Sequence, residues 1–304
     1  MIVESVKLEN FRNYKSLKLK LDHGTNIFYG DNAQGKTNIL ESVYVCGTTK
    51  SHRGSKDREI IQFNEEESHI RMKILRGGTP IKIDMHLRKN KTKGIAINGV
   101  PIKKASELFG IANFVFFSPE DLNIIKNGPG ERRRFLDMEL CQLNKIYLHH
   151  LSDYNKVVMQ RNKLLKEISF RPELMDTLDI WDMQMVEYGR RVIEERRTFI
   201  SRLNSIITDI HGKLSGSREE LVIRYEENVS AEALEEELKK NRERDIRFKV
   251  SVIGPHRDDI GFFIKGIDIR KFGSQGQQRT AALSLKLSEI ELVKQETGET
   301  PILL

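Results

Sequence analysis

Gly30-Asp31-Asn32-Ala33-Gln34-Gly35-Lys36-Thr37 is the stretch on which the reading of this chain turns. It fits G-x-x-x-x-G-K-[ST], a loop whose backbone N–H groups cradle phosphate. The residues before it, Thr25–Tyr29, predict a short strand, and those after it, Asn38–Val45, predict a helix. Glycine lets the backbone approach an anion closely. The start of the following helix adds the positive end of its dipole. Lys36 would then reach the β- and γ-phosphates of a nucleoside triphosphate, and the Thr37 hydroxyl would hold Mg²⁺. The candidate ATP site is the whole loop from Gly30 to Thr37, with Lys36 and Thr37 nearest the chemistry.

The rest of the composition narrows the class. The chain has 304 residues, 38% of them hydrophobic and 31% charged, with a mean hydropathy of −0.48. This is enough for a substantial core in one large or two modest domains. No apolar run reaches the ~18 residues of a membrane span, and the first residues alternate like a strand and carry no secretory core. The only cysteines, Cys46 and Cys141, have no metal-ligand spacing. They fit a reducing, cytoplasmic setting without disulfides. A net charge of +7 and a pI near 9.2 favour an anionic macromolecular partner such as nucleic acid.

Periodicity sets the organisation. Residues 2–8 and 17–21 alternate apolar and polar side chains and predict half-buried strands, as do Ser68–Leu75, Ile81–Leu87 and Gly94–Ile97. The run Ile111–Phe117 predicts a buried central strand. Residues 143–168 and 174–210 carry apolar side chains every three or four positions, predicting two amphipathic helices that run antiparallel about a break at Phe170-Arg171-Pro172. Leu221–Tyr225 reads as a strand, Ala231–Arg242 as a charged helix, and Ile260–Ile264 with Ile267–Ile269 as a hairpin. A helix then runs from about Gly276 to Lys294. The fold class is therefore α/β. The expected divisions are a P-loop lobe over 1–130, a helical lobe over 131–250, and a return to the core over 251–304.

Ser274-Gln275-Gly276-Gln277-Gln278 is the second chemical signal. A hydroxyl and a glycine at the start of a long helix make an anion site, although Ser before a helix is also ordinary capping chemistry. Paired with the upstream P-loop, this segment resembles the ATP-binding-cassette arrangement, in which a Ser-x-Gly-Gln segment of one subunit closes over nucleotide held by another. A helical insertion between the halves resembles the SMC and recombination-protein branch. Phe11–Tyr14, Gly30–Thr37, Phe117–Leu122, Glu131–Asp137, Gly254–Asp259 and Gly273–Thr280 all resemble, in order, stretches of the bacterial RecF family.

That resemblance implies an ABC-ATPase-like core with an antiparallel β-subdomain and a helical lobe II. It implies a DNA-binding ATPase of recombinational repair that uses ATP and Mg²⁺. Such a protein forms an ATP-dependent head-to-tail homodimer and acts with RecR and RecO at single-strand gaps and single-strand–duplex junctions. Arg12 and Asn13 would touch the nucleotide, and Ser274, Gln275, Gly276, Gln277 and Gln278 would reach it across the dimer. Candidates for DNA phosphates are Lys50, Arg53, Lys56, Arg58, Arg132, Arg133 and Arg134. In this family the run at Thr300–Leu304 opens the Walker B strand, whose acids hold Mg²⁺. The sequence stops before those acids, so the expectation is a shortened chain with hydrolysis close to nil. The segment Ser118–Asp121 stands where related ATPases carry a Mg²⁺-sensing Gln, and it contains none.

Gly254–Asp259 reads either as a functional loop or as a hydrogen-bonded turn with an Arg–Asp pair. For the chain as a whole, the rival functions are a metabolic P-loop small-molecule kinase, a structural SMC-like head, for which the insertion is short, and a transporter ATPase, for which no membrane-coupling feature is present.

Overall fold

The computed structural model describes residues 1–304. The alternating segments near the N-terminus pair into one six-stranded antiparallel sheet of order β2-β1-β3-β4-β5-β6. Its strands are β1 (Ile2–Phe11), β2 (Tyr14–Lys20), β3 (Glu67–Arg76), β4 (Thr79–Arg88), β5 (Gly94–Ile97) and β6 (Val100–Pro101). Period-two patterning decides which face is wet. Ile70, Met72 and Ile74 of β3 and Ile83, Met85 and Leu87 of β4 point to the core, where they join Val43, Val45 and Cys46 of helix α1 (Lys36–Thr48). Both cysteines are free and buried, and burial pushes the Cys46 thiol far above its ordinary range.

Within Ile111–Phe117 only Phe114–Val115 (β7) is strand. It pairs in parallel with Ile302–Leu303 (β11). The Phe114 ring fits against Gly47 of α1, where a Cβ would come within 1.9 Å of it. The expected strand at Thr25–Tyr29 does not form. Its apolar residues find neither a ladder partner nor a core, and Ile27 and Tyr29 are 79% and 91% exposed.

The chain forms two compact units, Met1–Phe117 with Val293–Leu304, and Ser118–Leu292. In the first, a short helix α2 (Asp57–Ile60) follows the basic loop. In the second, α3 (Leu122–Lys126) and α4 (Pro129–Leu143) lead into the long helices α5 (Lys145–Ile168) and α6 (Leu178–Ser215). These helices are antiparallel, as their contacts show: Asn144 meets Glu195, Tyr147 meets Arg196, and Arg161 meets Asp182. A 3-10 turn over Pro172–Thr177 joins them, at the break the proline signals.

Strands β8 (Leu221–Glu226), β9 (Asp259–Ile264) and β10 (Ile267–Asp268) make an antiparallel sheet. Asn204 of α6 clips to both the N–H and the C=O of Ile223 in β8. The charged segment becomes two helices, α7 (Leu234–Lys240) and α8 (Arg242–Phe248). Asp245 of α8 and Asp182 of α6 both accept from the fully buried Arg161. A short α9 (Ile269–Phe272) precedes α10 (Gln275–Thr297). No helix is long and apolar enough to cross a membrane.

One charge in the second unit is out of balance. Glu139 of α4 and Glu289 of α10 are both buried, and the Lys286 ammonium donates to Glu289 at 2.6 Å. One ammonium cannot neutralise two carboxylates. Burial, opposed by Lys286, pushes Glu139 up from the ordinary 4.5 to about 7. A carboxyl whose folded pKa is raised stabilises the fold at low pH and loses that contribution as pH rises to the folded pKa. Glu139→Gln is therefore expected to gain stability over the wild type between pH 4.5 and about 7 and to hold the gain above it. Urea denaturation across that range measures this, and a gain independent of pH would refute it.

Candidate nucleotide site

The P-loop is an exposed turn between an extended segment and α1. Gly30, Ala33 and Gly35 have φ of 134°, 65° and 98°. α1 then starts at Lys36, and the N–H groups of Asn38 and Ile39 return to the Gly35 carbonyl. The Lys36 ammonium folds back on its own loop, donating to the Gly30 and Asp31 carbonyls at 2.6 Å each. Thr37 is exposed beside it.

The turn between β1 and β2 forms one wall of the loop. Asn13 Nδ2 and the Tyr14 hydroxyl donate to the Gln34 carbonyl at 3.2 and 3.3 Å, and Asn38 Nδ2 donates to Asn13 Oδ1 at 2.9 Å. A Cβ on Gly35 would sit 2.6 Å from the Asn13 amide and 2.8 Å from the Tyr14 oxygen. Glycine is thus required twice, for its left-handed φ and for this close approach. Phosphate-binding geometry fits these residues: exposed loop amides, one lysine whose partners are only loop carbonyls, and one hydroxyl at the helix start.

Arg12 reaches the helix that follows the loop. It adopts φ 52° and forks onto Glu41 of α1, with Nε to Oε2 at 2.9 Å and Nη2 to Oε1 at 2.6 Å. It also donates to the Glu59 carbonyl and to Ser55 Oγ, each at 2.8 Å. Ser51 Oγ donates to Glu41 at 2.5 Å. Glu41 is wholly buried. Burial alone would raise its pKa, but the hydrogen bonds from Arg12 and Ser51 and the charges of Arg12 and Arg53 hold it below the usual carboxylate range. Arg12 touches the P-loop helix, and Asn13 touches the loop. Sequence reasoning gave Glu41 no role. The one available signal was a charged residue on the apolar side of α1.

The basic loop after α1 leaves Lys50, Arg53, Lys56 and Arg58 exposed, with Arg53 Nη1 donating to Asn38 Oδ1 at 3.3 Å. The Arg132–Arg134 run needs correction as a DNA surface. Arg132 is 4% exposed and is bound to the Asp259 carboxylate and to the Asn127 carbonyl at 2.5 Å. Arg133 is half-buried and donates to the Asp258 carbonyl. Only Arg134 of the three is exposed. Their charge near a helix start is met by carboxylate and carbonyl oxygens, which leaves Arg132 no face for phosphate.

In the second unit, Ser274 and Gln277 cap α10 reciprocally. The Ser274 N–H donates to Gln277 Oε1 at 2.9 Å, and the Gln277 N–H donates to Ser274 Oγ at 3.2 Å, forming a capping box. Gln278 turns inward to the Ile269 carbonyl, while Ser274, Gln275 and Gly276 face solvent. Gly254–Asp259 is a pinned turn. Buried Asp258 accepts from Arg196, Tyr225 and the Asn228 N–H. His256 lies between the Tyr154 hydroxyl and the Ser251 carbonyl, and burial pushes it down to about 4. Asp121 accepts from the Ser118 N–H and closes a small turn.

Fold and loop together define a P-loop ATPase head of the kind shared by ABC and SMC proteins. An Smc head domain from Pyrococcus furiosus matches over 99% of this chain and 88% of its own with a TM-score of 0.52 at 15% identity, which speaks to fold alone. A family model described as an AAA domain matches residues 5–296.

The chain belongs to the RecF family. It is 62% identical to the DNA replication and repair protein RecF of Agathobacter rectalis over all of its own length and 84% of the relative's. It is 63% identical to that of Lachnospira eligens, again over 84% of the relative. A solved structure of the recombination mediator protein RecF-ATP of the RecFOR pathway matches with a TM-score of 0.96 at 38% identity, covering 99% of this chain and 83% of the other. This membership removes the small-molecule kinase reading.

Gly35→Ala tests the wall of the loop. A non-glycine residue held at such a φ costs about 1–3 kcal/mol; the free loop of the variant relaxes out of this conformation and binding must restore it, so nucleotide affinity is expected to fall by up to roughly 5- to 150-fold. Titration with a fluorescent ATP analogue measures it. Unchanged affinity would mean that the Asn13–Tyr14 wall does not shape the site.

Proposed function

We propose that this chain is an ATP-gated DNA-binding protein of recombinational repair that works as a head-to-tail dimer. The observation that carries the reading is the pairing of a glycine-dependent P-loop with a solvent-facing Ser274–Gly276 helix start. Lys36 and the loop amides hold the nucleotide phosphates, and Thr37 holds Mg²⁺. Ser274, Gln275 and Gly276 meet the same phosphates from a second copy, since their capping geometry leaves them facing outward. Bound ATP supplies the negative charge that both half-sites attract.

The exposed cations Lys50, Arg53, Lys56, Arg58 and Arg134 contact DNA phosphates, which makes binding salt-sensitive and largely independent of sequence. The relative's place in the RecFOR pathway supports RecR and RecO as partners, and gapped or junction DNA is the substrate that the resemblance to the RecF family implies. Work on the bacterial chromosome fits a cytoplasmic location.

The test is equilibrium binding of duplex DNA with and without ATP, for the wild type and for Lys36→Ala. ATP is expected to tighten wild-type binding several-fold and to leave the variant unchanged. DNA affinity indifferent to both ATP and Lys36 would overturn the gating proposal.

A further inference from the structure

The outward face of the six-stranded sheet carries a cluster that the nucleotide chemistry does not use. Glu9 on β1, His69 on β3 and His86 on β4 face one another in register across three strands. Glu67 lies two residues before His69, on the same face of β3. The His69 and His86 rings stack with centroids 4.0 Å apart and planes 19° apart, and Glu67 Oε2 lies 2.8 Å from His86 Nε2. One donor atom from each of Glu67, His69 and His86 falls within 4.8 Å of the other two. Gly94 of β5 stands opposite His86 and contributes no side chain. A cavity of about 290 Å³ opens there. The cations at its rim are already engaged, Lys7 with Glu9 and Arg71 with Asp84.

We propose that Glu67, His69 and His86 form a binding site for a zinc-class divalent transition-metal ion, with a fourth coordination position open to the cavity. Two imidazoles and one carboxylate are a borderline-soft donor set that suits Zn²⁺ and suits Mg²⁺ or Ca²⁺ poorly. Donors bound tetrahedrally at about 2.0–2.1 Å from one ion lie roughly 3.3 Å apart, so the donors must close in from within 4.8 Å and the two imidazoles must turn out of their stack to point at a common centre. An ion here cross-links β3 to β4 within their long hairpin. Its open position accepts a ligand from solvent or from a partner.

The experiment is calorimetric titration of untagged, chelator-stripped protein with ZnCl₂, alongside His69→Ala, His86→Ala and Glu67→Gln, with thermal melts of each. The expected result is one Zn²⁺ per chain, a melting temperature raised by Zn²⁺, and at least about tenfold weaker binding in each histidine variant, with no competition from MgCl₂. The histidines lie on the outward face, so metal-free variants are expected to melt like the wild type. Should one fail to fold, Glu67→Gln carries the same comparison. Absence of stoichiometric Zn²⁺ binding, or Zn²⁺ binding that ignores His69, His86 and Glu67, would overturn the proposal and leave only the Glu67–His86 surface pair.

Discussion

Glu41 has no exposed surface, and the geometry of the nucleotide loop depends on how its charge is met. A buried carboxylate is tolerated only when paired and hydrogen-bonded. Here the partners are the Arg12 fork and the Ser51 hydroxyl. Those residues come from the β1–β2 turn and from the basic loop after α1, so one charge ties two separate segments to the helix that begins at Lys36. The same turn then places Asn13 and Tyr14 on the Gln34 carbonyl. The candidate phosphate loop is thus held in place by residues that lie outside it in the chain.

The second unit uses similar means. Arg196 is nearly fully buried and binds Asp137, Asp258 and the Pro255 carbonyl, fixing the turn that leads into β9. Arg132 and Arg270 share the Asp259 carboxylate. Arginine suits such positions because its planar fork satisfies two carboxylate oxygens at once. These networks absorb the residues of Gly254–Asp259 that looked functional by composition. The Ser274 helix start stays outside them.

Much of this was legible in the sequence, because local rules set it. The P-loop glycines, the period-two strands and the three-and-four spacing of the long helices all follow from backbone geometry. What was not legible needed tertiary partners. Thr25–Tyr29 has strand-like residues, but a strand exists only where a ladder partner does, and here none pairs with it. Arg132 and Arg134 look alike in sequence, yet one is buried on Asp259, far away in the chain, and the other is exposed. Glu41 is silent in sequence because its meaning comes from Arg12. Ser274 was readable in two ways. The capping box shows one, and the outward-facing Gln275 and Gly276 keep the other open.

The central claim is that two chains complete each other's nucleotide sites, and mixing two variants tests it directly. Lys36→Ala removes the P-loop half and Ser274→Arg the opposing half, so neither variant alone can build an intact site. A heterodimer of the two has one intact site. Sedimentation velocity with ATP should show monomers for each variant alone and ATP-dependent dimer in the mixture. Equal dimerisation by the separate variants, or a mixture no better than either, would contradict the shared site.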